Sequence, residues 1–131
     1  MKYLTIEEVL FMHQRILVEL QPFNEDFTVL NPELLYSAIA RPQQSAFGDD
    51  AYPDGYSKAA ALTESLVSNH CFQDGNKRIG ITAGIIFLRN NHFRMEASED
   101  DIYDAAMKAS EGKWKFQELK YWFEQHFYKE S

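Results

Sequence analysis

Apolar side chains return every three or four positions from the start of the chain: Ile6, Val9, Leu10, Ile16, Leu17 and Leu20 fall on one stripe. That spacing predicts a helix over 6–19 with a polar outer face, and Thr5 with Glu8 matches the capping box that would open it. Asn31-Pro32-Glu33 then reads as an N-cap, a first-turn proline and a first-turn acid ahead of Leu34, Leu35, Ala38 and Ile39, with Pro42 as the stop. A third helix is expected from Tyr56, carrying Ala59, Leu62, Thr63, Leu66 and Val67 on one side until His70. In the fourth, Ile79, Ile81, Ala83, Ile85, Ile86, Phe87 and Leu88 cover nearly every side, the pattern of a helix buried at the centre of a bundle, and Arg89-Asn90-Asn91 ends it. Residues 92–95 read as a short extended connector. Ser98 with Asp101 caps a fifth helix bearing Ile102, Ala105, Ala106 and Ala109, which Gly112 stops; Phe116, Leu119, Trp122 and Phe123 mark a last helix over 116–127.

The pattern therefore predicts an all-α fold, a compact bundle of five to six helices with one central buried helix preceded by a polar loop. Segment 43–55 has no periodicity and holds Gly48, Pro53, Gly55 and the acids Asp49, Asp50 and Asp54. A stretch of this length is either a lid or substrate-contacting flap or a plain surface loop.

Composition narrows the class. A chain of 131 residues, 45% hydrophobic and 25% charged, is expected to form one globular domain over 1–131. No apolar run approaches the roughly 20 residues that span a bilayer, so no membrane partner is expected. The opening Met1-Lys2-Tyr3-Leu4-Thr5-Ile6-Glu7-Glu8 lacks the apolar core and small-residue cleavage site of a signal peptide, and a lone Cys71 agrees with a reducing compartment; a cytoplasmic location is the expectation. Twenty acidic against thirteen basic residues give a formal charge of −7, which repels a phosphodiester backbone unless the cations are clustered. Lys113, Lys115, Lys120 and Lys129 are interleaved with Glu118, Glu124 and Glu130 and read as a solvated face, so direct nucleic-acid binding is not expected.

The candidate chemistry lies in His70-Cys71-Phe72-Gln73-Asp74-Gly75-Asn76-Lys77-Arg78, at the entry to the central helix. There the first backbone N–H groups and the positive end of the helix dipole form an anion site. Gly75 lets a phosphate approach the backbone, Asn76 lies beside it, and Lys77 and Arg78 add cations. A polyphosphate commonly brings Mg²⁺, which takes only one or two protein carboxylates; Asp74 is the one acid in the loop and the candidate ligand. His70, with an ordinary pKa near neutrality, is the candidate base for an incoming hydroxyl. Phe72 reads as an apolar peg holding the loop to the core, and Cys71 as packing rather than a nucleophile, because adjacent loop residues rarely converge on one atom. The segment lacks the glycines of the P-loop and of the dinucleotide fingerprint. His13, His92 and His126 show no metal-ligand spacing and read as packing or capping residues.

This nine-residue segment in a helix–loop–helix setting resembles the signature loop of the Fic/Doc family, and more specifically of its Doc branch. The resemblance extends to the opening helix, the Asn31-Pro32-Glu33 helix, a flap through Tyr52-Pro53 and the Ala59-Ala60-Ala61 helix. It implies transfer of part of a nucleotide to a protein hydroxyl, with His70 as base, Asp74 helping to hold Mg²⁺, Gly75 and Asn76 lining the phosphate pocket, and Arg78 pairing with phosphate oxygens. AMP-transferring relatives read Gly-Asn-Gly-Arg with a further Arg three positions on; this chain has Lys77 and Ile81 at those two places. The Doc branch, in contrast, implies transfer of the γ-phosphate of ATP to a threonine of elongation factor Tu, which stops translation. The self-inhibitory motif of some relatives ends in Glu-Gly, as Glu111-Gly112 does, but Met107 stands where Ser or Thr is needed. A separate small antitoxin is implied instead. The alternatives are AMP or other NMP transfer, supported by Gly75, and a catalytically idle binding module.

Overall fold

The computed structural model describes residues 1–20 and 26–130. In chain order the elements are α1 (Ile6–Leu20), α2 (Pro32–Ala40), a 3-10 turn (Arg41–Gln43), β1 (Ser45–Ala46), β2 (Asp49–Asp50), α3 (Gly55–Ser68), α4 (Asn76–Asn90), β3 (Phe93–Met95), α5 (Glu99–Ser110), α6 (Phe116–His126) and β4 (Phe127–Lys129). Among the described residues the fold is thus six α-helices with two very short antiparallel ribbons, β1–β2 and β3–β4. The helical bundle foreseen from periodicity is present. The last stripe position of α1, Leu20, has its side chain outside the described residues.

At the centre α3 and α4 lie against each other. A Cβ on Gly80 would collide with Val67, and one on Gly84 with Thr63 and Phe123, so these two glycines set how closely the helices approach. Thr63 Oγ1 donates to Gly80 O at 2.9 Å across the same seam. Only α4 was expected to be enclosed on all sides, yet α3 is enclosed as well, with Ser57, Lys58, Thr63 and Ser65 buried beside Ala59-Ala60-Ala61. Its polar residues disguise a central helix because each finds a partner. Lys58 Nζ, for example, donates to Pro42 O at 3.1 Å and lies 3.9 Å from Asp50 Oδ2.

The 43–55 segment is more ordered than its lack of periodicity suggested. Ser45 pairs with Asp50 and Ala46 with Asp49, around a Phe47-Gly48 turn whose two residues both have positive φ (55° and 86°), the geometry of a tight hairpin. Both ends of this flap are tied to α3: Arg41 Nε donates to Tyr52 Oη at 2.8 Å, and its Nη1 donates to Glu64 Oε1 at 2.8 Å and Ser65 Oγ at 2.9 Å. Pro42 does not simply stop α2; it sits buried in the 3-10 turn that carries the chain into the flap. Asp54 accepts from Ser57 N at 2.8 Å and opens α3 at Gly55, one residue earlier than expected.

One further difference is tertiary in origin. The connector after α4 is a strand, β3, paired with β4 after α6 (Phe93 with Lys129, Met95 with Phe127). Phe93 and Phe127 are buried from this ribbon while its other face stays in solvent. Ser98 and Asp101 cap α5 as expected, each side chain bonding the other's backbone N–H at 3.0 Å.

Candidate active site

The loop between α3 and α4 is held in place by contacts made far from it in sequence. His70 takes a left-handed backbone conformation, φ 48°, and its carbonyl accepts from Asn31 Nδ2 at 3.1 Å. Asn31 was expected to cap α2 with this side chain, but makes no such bond; the amide is committed to the loop instead. The Cys71 carbonyl accepts from Leu30 N at 2.8 Å and Asn31 N at 3.2 Å, Phe72 forms an isolated bridge with Val29, and Gln73 N donates to Thr28 O at 3.0 Å. The segment before α2 is in effect a splint for the loop. Phe72 is 1% exposed and its ring stacks on His13 at 3.7 Å, so the apolar peg exists and its socket is on α1.

Asn76, the first residue of α4, folds its amide back over Phe72: Nδ2 donates to Phe72 O at 2.9 Å and Oδ1 accepts from Phe72 N at 3.0 Å. Between them Gly75 reverses the chain at φ 83°, in the left-handed region where a side chain is strained. This backbone need alone accounts for a glycine at 75. Gly75 O accepts from Ile79 N at 2.9 Å, leaving the N–H groups of Asn76, Lys77 and Arg78 ahead of the first helical hydrogen bond.

His70, Asp74, Gly75, Asn76, Lys77 and Arg78 line one groove of about 680 Å³, closed on its other side by Ala109, Ser110, Gly112, Trp114 and Lys115. All six residues singled out from the sequence are thus brought together. His70 is exposed, and its ring makes no hydrogen bond or ion pair among the described residues; the same holds for the half-buried Arg78. Lys77 reaches across to α5, where its Nζ stands 3.2 Å from Met107 Sδ. A thioether is a weak acceptor, so the ammonium keeps most of its capacity for an oxyanion. Asp74 Oδ1 accepts from Gly75 N at 2.7 Å. Among the described residues no group of three His, Cys, Asp or Glu side chains could hold a metal by itself. That arrangement fits Mg²⁺ held by one carboxylate together with phosphate oxygens and water, and it does not fit an all-protein metal cage. Cys71 is fully buried and burial pushes its thiol pKa up, which leaves it inert toward substrate.

Three participants were missed. Lys115 was read as part of a solvated face and stands on the rim of the groove, and Asn31 was read as a helix cap; neither position carries a local sign of its role. His13 was detectable, since it falls four residues after Val9 and four before Leu17 on the buried stripe of α1. It is 1% exposed, and burial lowers its pKa from the ordinary 6.5, against opposing contributions from the Asp74 carbonyl and the Asp74 and Asp26 carboxylates. An imidazole whose folded-state pKa is depressed stays neutral when folded while the unfolded chain takes up a proton, so stability is lost as pH falls below 6.5 toward the lowered value. Thermal melts at decreasing pH are expected to show this loss, and His13→Phe should show less of it; identical acid dependence in both proteins would show that His13 is not its source.

A family model described as the Fic/DOC family matches residues 3–88 of the chain. The chain is also 44% identical over 78 residues to a protein of Mycolicibacterium smegmatis named Toxin Doc. That match takes in 60% of this chain and 60% of the relative's length.

Proposed function

Because the chain belongs to the Fic/DOC family, we propose that it is the toxin of a toxin–antitoxin module and that it transfers the γ-phosphate of ATP to a hydroxyl of a protein target. The observation that carries this reading is the groove at the start of α4, where a base, an acid, two cations and the free N–H groups of a helix N-terminus face one space. Its volume of about 680 Å³ suits a nucleotide. Similarity to a protein named Toxin Doc supports the toxin role, and a small antitoxin protein is the partner this role implies. A threonine of elongation factor Tu is the target that the Doc resemblance implies.

In this reading the triphosphate lies along the N–H groups of Asn76, Lys77 and Arg78, with the side chains of Lys77 and Arg78 on its oxygens. Asp74 would hold Mg²⁺, which when bound would supply charge neutralisation on the phosphates. The target hydroxyl gives its proton to a His70 ring nitrogen as its oxygen bonds to the γ-phosphorus. The bond from that phosphorus to the bridging oxygen breaks and ADP leaves. The flap hairpin, with Phe47 fully exposed at its tip, is the surface we assign to the target. Glu111 pairs with Lys113 at 3.2 Å and not with Arg78, which agrees with an enzyme restrained by a partner and not by its own helix.

The position of Lys77 favours phosphate over AMP transfer: a side chain with its ammonium against Met107 crosses space that a glycine at 77 would leave open to the nucleotide. Retention of Gly75 does not favour AMP transfer, since φ 83° accounts for it. Incubation with cell lysate and ATP labelled on either the γ- or the α-phosphate tests the assignment. Label is expected on protein from the γ position only, and transfer from the α position alone would replace the kinase reading with nucleotidyl transfer.

A further inference from the structure

His13 touches the motif at two places and fills the space beside a third. Its ring stacks on Phe72 at 3.7 Å with an interplanar angle of 15°, its Nε2 lies 2.8 Å from Asp74 O, and a Cβ on Gly75 would sit 3.5 Å from that same nitrogen. A carbonyl oxygen only accepts, so Nε2 carries the proton and donates. The ring is 1% exposed and held by α1, whose Val9 and Leu17 are buried on either side of it in sequence. One rigid side chain thus bonds the residue that bears the loop's only carboxylate and lies where a side chain on Gly75, which reverses the chain into α4, would point.

We infer that His13 is a positioning residue for the phosphate and Mg²⁺ site, acting through its Nε2–H on the Asp74 carbonyl. The carboxylate of Asp74 already spends one oxygen on Gly75 N at 2.7 Å, so its direction depends on the Asp74–Gly75 peptide that His13 holds. Freed from His13, this peptide can rotate, and the carboxylate swings with it. The consequence is felt at the ligand without His13 touching the ligand, in the manner of outer-shell partners of metal sites. Phe72 stacking and Asp74 bonding are separable: a phenylalanine at 13 keeps an aromatic face for Phe72 and loses the donor, whereas a glutamine keeps an N–H donor on a side chain of similar reach.

This inference rests on the proposed nucleotide site, and titration calorimetry with ATP separates the two. Wild-type protein is expected to bind ATP more tightly with Mg²⁺ than without. In His13→Phe that Mg²⁺-dependent gain should fall by about tenfold, within the 10–100-fold usual for outer-shell partners, and His13→Gln should recover most of it. If the phenylalanine variant does not fold, as read by circular dichroism, His13→Met against His13→Gln makes the same comparison. A purely structural role predicts lower melting temperatures with an unchanged Mg²⁺-dependent gain, and that result would overturn the positioning role. No ATP binding by the wild type would remove the site reading, and this inference with it.

Discussion

Replacing His70 with alanine is expected to lower transfer to protein by about two to four orders of magnitude, the usual loss when a general base is removed. The protein should stay folded. The imidazole is exposed and has no hydrogen bond or ion pair among the described residues, and what the surroundings hold is the His70 carbonyl, through Asn31. Surface changes of this kind stay within about 1 kcal/mol of wild-type stability. Mass spectrometry of a lysate treated with wild-type protein should find target protein heavier by a phosphate, and the His70→Ala lysate should not. A variant that still arrests growth on expression, with its target unmodified, would point instead to a binding module that needs no chemistry.

Phe72→Ala is expected to have the largest effect on stability, a loss of about 3–5 kcal/mol, as for other buried aromatic truncations. The ring is 1% exposed, stacks on His13, and its backbone is held by Asn76 on one side and bridged to Val29 on the other. The cavity would open beneath the loop itself. Nucleotide affinity should therefore fall in conditions where the variant is still folded. Urea denaturation reads the first effect, as a lower midpoint with unchanged slope. A loss under about 1 kcal/mol would mean that the splint from Thr28 to Asn31 holds the loop without the peg.

The two variants separate what the motif does from what holds it. His70 stands on the loop and projects into the groove, while Phe72 points the other way, into the core, two residues along. The left-handed backbone at His70 (φ 48°) turns the chain between them: Cys71 and Phe72 are both buried, while His70 before them and Gln73 and Asp74 after them are exposed. The candidate base and the apolar peg were both legible in the letters His-Cys-Phe-Gln-Asp. The sockets that receive them were not.

Periodicity was enough to place the helices, since a buried stripe repeats every three to four residues whatever it packs against. The capping box of α5 and the glycine that ends it were equally local and equally legible. So was the candidate site, because an anion-binding helix entrance and the residues that follow it are consecutive in the chain. Tertiary structure alone decided the rest. Pairing of β3 with β4 joins residues more than thirty positions apart, and three-residue strands carry too little pattern to announce themselves. Asn31 left its cap for the His70 carbonyl, and His13 became the floor of the motif loop, through contacts that exist only once α1 and α2 have docked beside it. Local sequence determined which groups the site contains; long-range packing decided where each one points, because a hydrogen bond or a stacked ring depends on distance in space and not along the chain.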